Sequence, residues 1–145
     1  PGYVTITYEI VHEARVIPLD PVSRNGSPPL SQRPPAPPGI RQHMGIARGR
    51  WDGDTLVVET TNFTAGAAYR GANAATLRVI ERFTPVAADV IAWTATIDDA
   101  TTWTRPWTIG MPLRRDPYPS LPFDCHEGNY GLRNILSAAR AAERP

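Results

Sequence analysis

The sequence predicts a mainly β domain: an antiparallel meander that forms a barrel-like or strongly curved sheet, followed by one C-terminal α-helix. Two observations carry this. Apolar and polar residues alternate in several separate runs between Tyr3 and Leu113, the period of half-buried strands. After Tyr130 the period changes to that of an amphipathic helix. At 145 residues the chain is long enough for one domain with a real core, and we read residues 1–145 as that single domain.

The first run, "GYVTITYEIVH", places Val4, Ile6, Tyr8, Ile10 and His12 on one face, with Val11 as the exception. "ARVIPL" continues it after a bend, and Pro18 marks a strand end or edge. Residues 20–39 are proline-rich and lose all apolar periodicity, as a long surface loop of polyproline character does. "GIARGRWDGDTLVVETTNF" is the strongest local signal. Asp52-Gly53 between two extended runs suits a type I′ turn, with Trp51 facing Asp54 and Gly49 facing Leu56. "TAGAAYRGANAA" reads as a loop with room for one helical turn.

"LRVIERFT" and "VIAWTATID", joined by "PVAAD", predict a second hairpin. Leu77, Val79, Glu81 and Phe83 share one face of it with Ile91, Trp93, Ala95 and Ile97. "TWTRPWTIGMPL" also alternates, with Trp103, Arg105, Trp107, Ile109, Met111 and Leu113 on one side and Pro106 marking an edge or bulge. About six strands result. Leu132, Ile135, Leu136 and Ala139 then form the stripe of a helix over 129–143, with Asn129 as N-cap, and this helix is expected to close one side of the sheet.

Composition excludes several chemistries. The formal net charge is +1, with no clustered basic face to suit a nucleic acid. No lysine is present, which removes Schiff-base catalysis. No apolar run is long enough for a membrane-spanning helix. There is no phosphate-cradling glycine loop, GxSxG elbow or HExxH pair. Nothing implies a cofactor. Cys125, His126 and Glu127 lie in one short stretch, but adjacent residues in an extended chain point to opposite faces. Metal-ligand spacing is absent, so these three are only weak candidates and no metal is expected. Asp98-Asp99 reads as a solvated turn.

Polar residues on apolar faces are the more pointed signal. His12 follows Tyr8 and Ile10, Glu81 lies between Val79 and Phe83, and Arg105 lies between Trp103 and Trp107. A buried charge must be paired or line a solvated pocket, and a guanidinium between indoles suits cation–π stacking. Tyr8, His12, Glu81, Trp93, Trp103, Arg105 and Trp107 are therefore the candidate ligand-binding residues, with His12, Glu81 and Arg105 turned inward. Apolar walls with a few convergent polar groups are how a small barrel holds one ligand.

Taken together, "GYVTITYEIVHEARVIPLD", "GRWDGDTLVVETTNF", "ERFTPVAADVIAW", "TWTRPWT" and "CHEGNYGLRNIL" resemble a family of bacterial, typically secreted proteins with no established activity. The likeness spans nearly the whole chain outside the proline-rich loop. It implies a secreted or periplasmic, lipocalin-like barrel and a chain that is the C-terminal part of a longer precursor. It also implies an upstream cysteine able to pair with Cys125. "IRQHMG" departs from the family, where an aromatic residue is usual at His43, which argues against a metal site there. The expectation is a non-catalytic binding or assembly module that holds an apolar or aromatic small molecule or a partner chain, the upstream half or a second copy included. The alternatives are a hydrolase- or lyase-type enzyme with a His/Glu pair, metal-assisted or not, and a structural subunit of an extracellular assembly. In the enzyme, His12 or His126 would be the base and Glu81 or Glu127 its partner.

Overall fold

The computed structural model describes residues 2–9, 13–20, 37, 39–67, 71–118 and 130–143. The fold is mainly β and antiparallel, with one helix. Among the described residues seven strands form two sheets. A hairpin pairs β1 (Tyr3–Tyr8) with β2 (Glu13–Pro18). A five-stranded meander runs in chain order through β3 (Ile46–Asp52), β4 (Thr55–Thr61), β5 (Arg78–Ala87), β6 (Val90–Asp98) and β7 (Trp107–Arg114). A short 3-10 turn, Ala65–Ala67, lies between β4 and β5, and helix α1 spans Gly131–Ala142. Among the described residues β3 and β7 are the two ends of the larger sheet, and no pairing closes them into a barrel.

The meander has a clear inner face. Ala47, Thr60, Val79, Ile97 and Trp107 form one row across it. The next row is Gly49, Val58, Glu81, Ala95 and Ile109, and the next Trp51, Leu56, Phe83, Trp93 and Met111. The outer face carries charges and threonines: Arg78 forks onto Glu59, Arg82 meets Asp52, and Thr96 bonds Thr108. This is the alternation a sheet needs when one side is covered and the other wet.

The small hairpin supplies the cover. Its inward residues, Val4, Ile6 and the fully buried Ile17, pack on Leu56, Val58, Ala47 and Phe83. Leu19 bridges to Gly49 at the outer edge of β3, where the Asp20 amide donates to the Gly49 carbonyl at 2.8 Å. Moving back along β2, Ile17 lies over β3 and β4, and Arg15 reaches Thr60 and Glu81 on β4 and β5. The hairpin thus starts at the sheet edge and crosses the inner face. Gly49 makes this possible. A Cβ there would stand 2.9 Å from both Ile17 Cγ2 and Leu19 Cδ2.

Several expectations need correction. The first run is not one strand to His12. It stops at Tyr8, which pairs with Glu13 to close a hairpin. Val11, the break in its alternation, was the sign of this; Ile10, Val11 and His12 themselves lie outside the described residues. In the β3–β4 hairpin Trp51 faces Leu56 and Asp52 faces Thr55, so Gly53-Asp54 is the turn and not Asp52-Gly53. Gly53 alone takes a positive φ, 58°, which matches a type II′ turn with glycine first. Each partner moves by two positions, which leaves every side chain on its expected face. The second hairpin keeps its expected faces, and its register sets Val79 opposite Ile97, Glu81 opposite Ala95 and Phe83 opposite Trp93. Its strands run further than expected, because an irregularity between Pro85 and Ala87 absorbs the connection. The last run becomes a strand only at Trp107, after bends at Thr104 and Arg105.

The helix is real but does not close the sheet. Every described residue of α1 is exposed, including Leu132 at 70%, Ile135 at 68% and Leu136 at 47%. Its N-cap is Tyr130, without a side-chain cap bond; Asn129, the expected cap, lies outside the described residues. Nearly all of the proline-rich loop lies outside them too.

Candidate functional site

At the centre of the inner face a charged pair is sealed between the hairpin and the sheet. The alternation of β2 puts Arg15 on the same side as Ile17, and the alternation of β5 puts Glu81 between Val79 and Phe83. When the hairpin crosses the sheet the two meet. Arg15 donates to Glu81 Oε2 at 2.6 Å, and each side chain keeps 9% of its surface exposed. The same guanidinium donates to Thr60 Oγ1 at 3.0 Å and to the Tyr8 hydroxyl at 3.1 Å. The Trp93 indole donates to the other carboxylate oxygen, Glu81 Oε1, at 3.2 Å. Burial alone would lower the Arg15 pKa; the hydrogen bond and charge of Glu81, then Tyr8, outweigh it and leave it raised. Arg15 Nε is buried with no hydrogen-bond partner among the described residues.

Glu81 also divides the apolar interior. Across the sheet it lies between Val58 and Ala95. Val58 belongs to the cluster under the hairpin, with Ile17 and Leu56. Ala95 belongs to a second cluster, with Ala72, Leu77 and Ile97 at its heart and Trp93, Trp103, Trp107 and Ile109 packed around it. Trp103 and Trp107 meet edge to face, with ring centroids 5.6 Å apart and planes at 81°. Such a pair contributes about 0.5–1.5 kcal/mol beyond its buried area.

The loop after β6 holds a second polar knot. Asp99 is buried, not the solvated turn residue that the sequence suggested. Its Oδ1 accepts from the hydroxyls of Thr76 and Thr101 and from the Thr101 amide. Its Oδ2 accepts from the Asn73 amide at 2.7 Å and the Thr102 hydroxyl at 2.5 Å. Burial alone would raise the Asp99 pKa. The hydrogen bonds from Thr102, Thr76, Thr101 and the Asn73 amide overcome it and hold the carboxyl far below the usual carboxylate range. This knot fastens the β6–β7 connection to the segment before β5.

The candidate residues fall into three groups. Tyr8, Glu81, Trp93, Trp103 and Trp107 all contribute to the interior between hairpin and sheet or to the tryptophan cluster beside it. Arg105 does not. It is exposed in the bend before Pro106, because the alternation it was placed by does not begin until Trp107. His12, Cys125, His126 and Glu127 lie outside the described residues. The described histidine, His43, is exposed in a turn. No group of three or more His, Cys, Asp or Glu that could hold a metal occurs among the described residues.

The residues that sequence reasoning missed were Arg15 and Asp99. Period two carried through "EARVIP" would have set Arg15 beside Ile17 on the covered face. "DATT" is the pattern of an aspartate that binds the hydroxyls and amide just ahead of it.

Beyond the hairpin the inner face is open. Ile91 and Leu113 are paired and exposed, and Met111, opposite Trp93, is 51% exposed. The sheet is longer than its cover, and an apolar patch remains at the β6–β7 corner. Among the described residues no helix is long and apolar enough to cross a membrane. No family model, curated protein or solved structure matches the chain.

Proposed function

We propose that the chain is a non-catalytic binding and assembly module that holds a partner chain. The observation that carries this is the exposed apolar stripe of α1, seen with the open patch of Ile91, Met111 and Leu113 on the sheet. An amphipathic helix with no buried residue presents an apolar face open to contact. An exposed apolar strand surface suits an extended or helical segment; small molecules are held in concave sites. The non-catalytic reading is supported by the condition of Glu81. Both of its oxygens are engaged, by Arg15 and by Trp93, so it is poorly placed to move protons. In this reading the hairpin and sheet act as a half-closed barrel whose open side receives the partner. The motif resemblance supports action in a secreted or periplasmic setting.

The test is native mass spectrometry of the chain isolated from its source, unsubstituted and as Leu132→Ser/Ile135→Ser. The expected result is a complex with another chain that the double variant loses, while the unfolding midpoint of the purified chain alone stays put because the residues are exposed. A lone chain in both samples argues against the proposal. A bound small molecule in place of a chain would move the reading to a ligand carrier.

A further inference from the structure

The partner chemistry can be taken further at β7, an argument that rests on the assembly reading above. The two edges of the meander are treated differently. At β3 the Leu19–Asp20 segment binds Gly49, and Arg48 and Arg50 flank it. At β7 no strand lies outside Trp107–Arg114 among the described residues. Natural edge strands avoid pairing with other molecules through charges, bulges or covers. From Trp107 to Leu113 there is no charged residue, and the β6–β7 register runs without a bulge.

The hydrogen-bonding groups of this edge can be placed. The Arg115 amide donates back to Asp89 on the β6 side at 2.8 Å. Alternate residues of a strand face alternate sides, so the amides of Leu113, Met111 and Ile109 also face β6. The outward amides are those of Thr108, Gly110 and Arg114; Pro112 faces outward and has none. The proline thus blunts one position only.

We infer that β7 is a self-pairing edge: two copies of the chain join β7 to β7, antiparallel, about a two-fold axis at Met111. In this register Gly110 faces Pro112 of the second copy, and Thr108 faces Arg114. Every outward amide of β7 then finds a carbonyl within the other β7. Residues of like parity meet, so the inner faces run on without a break. Met111 lies against Met111, and Ile109 against Leu113. The exposed patches of the two copies become one apolar surface. Charge permits this arrangement, since Arg114 and Arg115 of each copy lie at opposite ends of the pair, facing Thr108 and Trp107. A two-fold contact of one surface with itself is the commonest form of association between identical chains.

The experiment uses the full chain, unsubstituted and with single changes on β7. Sedimentation of the unsubstituted chain is expected to give the dimer mass. Met111→Lys places two like charges at the axis, and should give the monomer mass at the same concentration while keeping the far-ultraviolet signal of the folded chain. Met111→Cys in a Cys125→Ser background should form a disulfide-linked dimer on mild oxidation, faster than Thr108→Cys in the same background. The inference is overturned by an unsubstituted chain that stays monomeric, or by a dimer that Met111→Lys leaves intact. If such a dimer instead dissociates with Leu132→Ser/Ile135→Ser, the assembly reading stands and the β7 pairing alone falls.

Discussion

Arg15 and Glu81 show how much can depend on a pair that a hydrophobicity pattern marks as wrong. A buried ion pair is weak evidence for net stability, but half of one is worse than none. Glu81→Leu leaves a guanidinium enclosed by Thr60 and Tyr8 with no counter-charge. It is expected to lower unfolding free energy by about 3–5 kcal/mol. Arg15→Met/Glu81→Leu should recover most of that loss, and urea denaturation of the three proteins reads both numbers. If single and double variants were equally unstable, the role of the pair would be packing and not charge. Asp99 gives a different prediction, in pH. Its carboxyl titrates below the ordinary value of 3.8 in the folded chain, so its contribution is complete above that value. It is lost progressively as pH falls below about 3.8 toward the depressed folded value. An Asp99→Asn protein should be less stable at neutral pH and lose less stability than the unsubstituted chain on acidification below that point. Equal acid sensitivity in the two proteins would assign the effect elsewhere. Glu81 was legible in sequence as an inward charge; its partner was not, because nothing local says that β2 folds across β4 and β5.

At the scale of elements, the meander was read well and its ends poorly. Alternation over "LRVIERF" and "VIAWTATID" is unbroken, so the faces followed from it and only the register waited on the structure. The β3–β4 turn was misplaced because Asp52-Gly53 and Gly53-Asp54 both satisfy hairpin chemistry, and only cross-strand pairing decides. The start of β7 was misplaced because Trp103 and Arg105 continue the alternation by chance through two bends. Gly49 gives the element-scale prediction. Gly49→Ala must push Ile17 and Leu19 away by a few tenths of an ångström or more. Overpacking of this kind costs about 1–3 kcal/mol, and it should appear as a lowered thermal midpoint together with changed near-ultraviolet signals from the inner face. An unaltered midpoint would mean that the hairpin lies more loosely on β3 than its contacts indicate.

For the molecule as a whole, strand content, the antiparallel arrangement and the terminal helix were all legible. The relation between parts was not. Period two fixes which side of a strand is greasy, but not what lies on it, so one curved meander and a hairpin crossing a sheet look alike in sequence. The same holds for α1, whose stripe reads identically whether it packs at home or on another chain. The Arg15–Glu81 pair has one more consequence at this scale. It stands between two apolar compartments, one roofed by β1 and β2 and the other filled by indoles. Arg15 belongs to the roof and Glu81 to the sheet, so loosening of the hairpin parts the pair and opens both charges to water, while the tryptophan compartment, which lies beside the hairpin, can keep its shape.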